Sequence, residues 1–204
     1  METINYFDIG THSGNEIQSF LDLIHPFKCN VYGFEAFKSI YDSLNSRFKD
    51  FDNVQTFNLA VSNKNGFENL YLAKGNDYEG NSIFSTKNNV DENDFVTVKS
   101  IKFSDWIKEN VFDFKEAINI IRFNIEGAEL YLIKDLIDSG LHKYFKVYLG
   151  SKTGIDILKC SEIADQYDKY NLMLKDAGII IHQYCHASKK TNISDKELIK
   201  LILA

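Results

Sequence analysis

A chain of 204 residues, 44% hydrophobic and 25% charged, reads as one domain over 1–204, long enough to bury a core without disulfide or metal staples. A formal net charge of −6 argues against a broad phosphate-tracking surface, so no nucleic-acid partner is expected. Cys29, Cys160 and Cys185 are odd in number and lack CxxC spacing. With an amino terminus that has no basic or long apolar stretch, they predict a cytoplasmic protein with reduced thiols, no signal peptide and no membrane span.

The elements are read in chain order. Ile4–Ile9 is a short apolar strand that ends at Gly10, and 15–24 carries Ile17, Phe20, Leu21 and Ile24 at helical spacing. A second strand spans 30–34, a second helix 37–48 and a third strand 54–58. Gly66–Leu72 and Phe95–Ile101 alternate as further strands. Between them, 74–94 is dense in Gly, Asn and Asp, and reads either as a substrate lid or as a surface excursion. A short helix over 104–110 takes Ser104 as its N-cap. The near-continuous apolar run 118–125 predicts a central strand covered on both faces. A helix follows over 128–137 with Gly140 as its stop, then a strand over 146–149, a helix over 156–175 and a strand over 179–182. The tail 197–203 fits strand and helix equally. Strands alternating with helices predict an α/β fold, a mainly parallel doubly wound sheet with helices on both faces. With 16 Phe and 11 Tyr, much of the core should be aromatic.

The residues suited to chemistry fall at predicted strand ends, where such sheets bind ligands. In Asp8-Ile9-Gly10-Thr11-His12-Ser13-Gly14 the glycines permit a tight turn and close backbone approach. Their G-x-x-x-G spacing differs from the dinucleotide fingerprint G-x-G-x-x-G and suits a nucleoside with an amino-acid tail. Glu35 ends the second strand, 25 positions after Gly10, and suits hydrogen bonding to ribose hydroxyls. Asn58, with the small residues through Ser62, either edges an adenine ring or forms a plain turn. Asn124 and Glu126 exit the buried strand two positions apart, Gly127 allows a turn, and Glu129 sits in the first turn of the next helix, where carboxylates are favoured. His182, Cys185 and His186 do not have the spacing of a metal site on a strand, and no metal is expected. Lys189-Lys190 reads as a solvated turn or a contact for a phosphorylated acceptor.

The strings FDIGTHSGN, GFEAF, NLAVSN and IRFNIEGAELYLIKDL, in this order, resemble the FkbM-type methyltransferases over Ile4 to Leu149. The resemblance implies a Rossmann-like class I methyltransferase fold, S-adenosylmethionine as cofactor, and O-methylation of a hydroxyl on a sugar or another small-molecule or glycan acceptor. It places Asp8, Gly10 and Gly14 around the amino-acid end of the cofactor, Glu35 on its ribose and Ala60 near its adenine, with Ser13 also among the cofactor-binding residues. Asn124 and Glu126 face the methyl-transfer site, with Glu126 and His12 as candidate bases. Three features depart from the family pattern: Ala36 where Pro is usual, Asn124 where Asp is usual, and a short C-terminal region whose last strand is incomplete or swapped. Two alternatives stay open, a non-catalytic binding protein of the same fold and an NAD-type oxidoreductase. Homo-oligomerisation is also open.

Overall fold

Long apolar runs become central strands here because helices cover both faces of the sheet. The computed structural model describes residues 3–75, 80–150, 154–184 and 191–203. β1 (Ile4–Ile9), β2 (Cys29–Phe34) and β3 (Val54–Phe57) alternate with α1 (Asn15–Ile24) and α2 (Lys38–Phe48). A short β4 (Ala60–Val61) and a hairpin of β5 (Gly66–Ala73) and β6 (Val90–Ile101) follow, and α3 (Phe103–Asn110) leads into β7 (Ile118–Phe123). Then come α4 (Glu129–Asp138), β8 (Phe145–Gly150), α5 (Ile155–Leu158), α6 (Tyr167–Asp176), β9 (Ile181–Gln183) and α7 (Asp195–Leu203).

The main sheet has six strands in the order β3-β2-β1-β7-β8-β9, and each neighbouring pair is parallel. The strand order reverses between β1 and β7, so the loops that leave these two strands open side by side. That is where an open α/β sheet makes room for a ligand. Two cores flank the sheet. On one face Tyr6 stacks on Phe20 with ring centroids 3.9 Å apart, among side chains from α1, α2 and α7. On the other, Phe7 stacks on Tyr32 and meets Phe103, Trp106, Phe114 and Phe145 edge-on. Edge-to-face pairs of this kind contribute about 0.5–1.5 kcal/mol each beyond their buried area, so the aromatic richness of the sequence is spent largely on this layer.

The structure revises several expected boundaries. Strands 66–72 and 95–101 lie in a separate three-stranded sheet, β4-β6-β5, in which β5 and β6 are antiparallel. Because β6 begins at Val90, the expected 74–94 loop is shorter. Its described part, 80–89, is packed rather than loose, with Ser82, Phe84 and Lys87 buried.

Ser104 does not cap α3, which starts at Phe103. Instead its N–H and Oγ both donate to the carboxylate of Asp135, at 2.7 Å each, so α4 supplies the cap from outside the helix. The expected 156–175 helix is broken between α5 and α6. There the Lys159 carbonyl accepts from Asn88 N–H, and a turn carries the chain past residue 160. The expected 118–125 strand ends at Phe123 because Glu126 takes a left-handed backbone conformation, φ 58°. The tail is helical, with Leu198 and Ile202 buried one turn apart.

Candidate functional site

A cavity of about 590 Å³ opens at the switch between β1 and β7, within the usual range for small-molecule sites. The close approach of the two strand-end loops depends on Gly10. A Cβ there would lie 2.2 Å from the Asn124 carbonyl oxygen, and the residue sits at φ 80°. The Asn124 N–H donates to the Ile9 carbonyl at 2.9 Å, so the two loops are joined at their roots. Gly10, His12, Ser13, Glu35, Ala60, Asn124 and Glu126 all line this cavity. Seven expected site residues, drawn from four separate stretches of chain, therefore share one wall.

Asp8 and Gly14 are placed elsewhere. Asp8 is fully buried beneath the loop, and its Oδ1 pairs with Arg122 Nη1 at 2.9 Å. The two residues are register partners across β1 and β7 and so point to the same face of the sheet. Burial pushes the Asp8 carboxyl upward and the guanidinium opposes that push. Burial alone would loosen Arg122's proton, but Asp8, Tyr6 and Glu16 outweigh it and hold the guanidinium charged. Gly14 starts α1 at φ 81°, and a Cβ there would meet the Phe48 ring at 2.4 Å. It serves the packing of α1 on α2.

Glu35 is held by the backbone. Its Oε2 accepts from His12 N–H at 2.9 Å and its Oε1 from Phe37 N–H at 2.8 Å. The His12 N–H belongs to a residue in a left-handed conformation, φ 52°. Burial raises the Glu35 carboxyl above its ordinary range, and the two N–H bonds oppose the rise. A carboxylate has about four lone-pair positions. With two positions taken, one on each oxygen remains for a ligand's hydroxyls.

Asn58 does not reach the cavity wall. Both its amide hydrogens go to the carbonyls of Glu35 and Ala36, at 2.9 Å each, which fixes the end of β2. Leu59, Ala60 and Val61 form an apolar slot beside it.

Glu126 is held by a cation. Its Oε2 lies 2.7 Å from Lys87 Nζ, whose side chain is 1% exposed. The same ammonium donates to Gly80 O at 2.9 Å and Asn89 Oδ1 at 2.6 Å, which uses its three hydrogens. A positive φ at a residue other than Gly, Asn or Asp is uncommon and persists where its surroundings over-determine it. Three contacts do so here. Glu129 reaches back from the start of α4 to accept the N–H groups of Ile125 and Gly127, at 2.9 and 2.7 Å. Ser82 Oγ donates to the Glu126 carbonyl at 2.8 Å. Lys87 holds the carboxylate. Glu129 is itself buried, and burial first, then the nearby Asp156 charge, raise its pKa to about 7. The Asn124 side chain has no hydrogen-bond partner among the described residues, nor has His12 Nε2.

Sequence reasoning passed over Lys87, Arg122 and the Asp156–Lys159 pair, which also lines the cavity with its charges 2.6 Å apart. Lys87 lies in a run of turn formers, where a lone lysine gives no sign that it is buried. Arg122 carries a usable signal, a charge inside an otherwise apolar central strand. Among the described residues no group of three His, Cys, Asp or Glu is placed to hold a metal ion, and no helix is long and apolar enough to cross a membrane. Cys185, His186, Lys189 and Lys190 lie outside the described residues.

The family model described as the methyltransferase FkbM domain matches residues 8–159. Among solved structures, the methyltransferase FkbM from Methylobacillus flagellatus KT is similar, with 15% sequence identity and a TM-score of 0.48. That match covers 85% of this chain and 37% of the other, so this chain spans little more than a third of its length. No curated protein matches the sequence.

Proposed function

This chain belongs to the methyltransferase FkbM domain family, by its match over residues 8–159. From that premise we propose that it transfers a methyl group from S-adenosylmethionine to a hydroxyl of a sugar or another small-molecule or glycan acceptor. The observation that carries the reading is Glu35, a buried carboxylate on the cavity wall with each oxygen half-used by a backbone N–H. That arrangement fits two adjacent ribose hydroxyls.

The other residues fit the remaining parts of the group. The slot of Leu59, Ala60 and Val61 suits a flat base, and the Gly10 turn lets backbone approach the tail. When bound, the cofactor supplies a methyl group on a sulfonium, open to in-line displacement by an acceptor oxygen. Much of the acceleration in such a step comes from holding the two reactants in line. Glu126 would accept the acceptor's hydroxyl proton at its carboxylate, with His12 Nε2 as the other candidate base. Asn124 would orient the acceptor through its amide.

Calorimetric titration with S-adenosylhomocysteine and with NAD tests the reading. Binding of S-adenosylhomocysteine and not of NAD is the expected result; the reverse would sink the methyltransferase. Asn124, standing where the family usually has Asp, favours one second reading, a non-catalytic binding protein. Tight S-adenosylhomocysteine binding without turnover on a panel of hydroxylated sugars would select it. If Glu126 acts on the acceptor, Glu126→Gln lowers turnover more than cofactor affinity, and equal losses would place it at the cofactor instead.

A further inference from the structure

Strand order divides the lining of the cavity. Gly10 follows β1, Glu35 follows β2, and the slot of Leu59, Ala60 and Val61 follows β3. Glu126 follows β7, Ile155, Asp156 and Lys159 follow β8, and Gln183 ends β9. With the methyl donor over β1, β2 and β3, the wall beyond β7 is left for the acceptor.

On that wall the Asp156–Lys159 pair differs from three other ion pairs of similar spacing. Lys38–Asp42, Lys134–Asp138 and Lys108–Asp105 are open to solvent on both sides and lie away from the cavity. Asp156 keeps only 9% of its side chain exposed, while Lys159 keeps 44%. The pair is fixed from both ends. Gly154, at φ 65°, starts α5 against the Tyr170 ring, which a Cβ there would meet at 2.6 Å. The Lys159 carbonyl accepts from Asn88 N–H at 3.0 Å. Lys159 Nζ donates to Asp156 Oδ1 at 2.6 Å, which uses one ammonium hydrogen and one carboxylate oxygen. Among the described residues nothing else takes the remaining hydrogens or Asp156 Oδ2. A fixed donor beside a fixed acceptor, each with capacity to spare, matches two adjacent hydroxyls. One would donate to Asp156 Oδ2 and its neighbour would accept from Lys159 Nζ.

Charge narrows the choice of acceptor. Lys159 is already answered by Asp156, and Glu126 acts on it as well. An anion would meet two carboxylates around one ammonium, whereas a neutral polyol brings no charge to be matched. Ile155, 44% exposed on the same wall, offers an apolar contact for the C–H face of a sugar ring.

We propose that Asp156 and Lys159 select the acceptor: they hold two adjacent hydroxyls of a neutral sugar, beside the hydroxyl presented to Glu126, and they disfavour phosphorylated acceptors. This rests on the reading of the cavity as a methyl-transfer site. It adds the residues and the chemistry that choose among hydroxylated acceptors.

The test measures acceptor binding by NMR titration of protein saturated with S-adenosylhomocysteine, so it does not depend on turnover. The probes are neutral methyl glycosides of hexoses and 6-deoxyhexoses, their further monodeoxy analogues, and the corresponding sugar phosphates. At least one neutral glycoside should bind, and loss of either hydroxyl of one adjacent pair should weaken it about tenfold or more. Lys159→Met and Asp156→Asn should each weaken it by a similar factor and leave S-adenosylhomocysteine affinity within about twofold. Asp156→Asn separates the two acceptor classes by sign, because it weakens a diol that the carboxylate holds and strengthens an anion that the carboxylate repels. Sugar phosphates that bind more tightly than their neutral counterparts would overturn the proposal, and tighter binding still in Asp156→Asn would make the pair an anion clamp. Neutral glycosides that bind both variants as well as the wild type would overturn it too, as would no glycoside binding to the saturated protein.

Should Asp156→Asn not fold, Lys159→Met, at an open position, decides the matter together with the wild-type contrast between each glycoside, its deoxy analogues and its phosphate. A protein that binds no S-adenosylhomocysteine would defeat the methyl-donor reading and this proposal with it, whereas each outcome above leaves that reading standing.

Discussion

Glu35 and Glu126 stand on either side of β1 and face one cavity, Glu35 gripped by two backbone N–H groups and Glu126 by the buried ammonium of Lys87. The grip on Glu35 is local. Phe37 is two residues away, and His12 lies in the turn that runs alongside it. It adds no charge, and it leaves the carboxyl raised by burial and ready to accept from neutral hydroxyls. The grip on Glu126 is long-range and ionic. It draws on a loop of the second sheet, on Glu129 and on Ser82, and it holds a backbone conformation that the residue would not take alone. The first arrangement suits binding and release, and the second suits a group whose position must not vary. Much of the second sheet's importance lies there, because its connecting segment carries Lys87 to Glu126, which lines the cavity.

The largest expected effect breaks the ionic grip. Lys87→Met leaves Glu126, Gly80 O and Asn89 Oδ1 without their donor, and removal of one partner of a buried pair costs about 3–5 kcal/mol. Urea denaturation should show a loss of that size, and a loss below about 1 kcal/mol would mean that solvent already shares the pair.

Glu129 sharpens the same side through pH. Its folded pKa of about 7 lies above its ordinary value, so the folded state binds the proton more tightly than the unfolded chain. Stability from this group is therefore fully present below about pH 4.5 and falls as pH rises to about 7, by at most about 3 kcal/mol. Glu129→Gln should flatten that part of the profile, and an unchanged slope would show that burial is not what raises the group.

On the other side, Glu35→Ala should weaken S-adenosylhomocysteine binding by about 1.5–3 kcal/mol, the worth of hydrogen bonds to a charged group. Unchanged affinity in calorimetry would refute its role on the ribose. Asn58→Ala is the smallest change. It removes two bonds that fix the end of β2 and should cost about 0.5–1.5 kcal/mol of the same affinity, leaving Lys87-dependent stability as it was. A loss as large as that of Glu35→Ala would show that Asn58 meets the ligand directly.

Much of the main sheet was legible because its signals are local. Apolar runs, glycine turns and helical spacing each span a few residues, and β1, α1, β2 and α2 lie within a residue or so of where the sequence puts them. The second sheet was read only as two further strands, since alternation does not tell which sheet a strand joins. The broken 156–175 helix shows the same limit, because spacing alone cannot reveal that Asn88 claims the Lys159 carbonyl.

At the site, the sequence by itself determined the residues that end strands: Gly10, Glu35, Asn124 and Glu126 each follow a readable apolar run. Only the tertiary structure decided what holds them. Lys87 reaches Glu126 across 39 positions, Asp135 caps α3 from 31 positions away, and Arg122 meets Asp8 across 114. Such partners are chosen by how the sheet winds and which loops it brings together. A side chain's charge is written at its own position, but its neighbour is written nowhere along the chain, and so the glycine turn could be read where the partners of the buried cations could not.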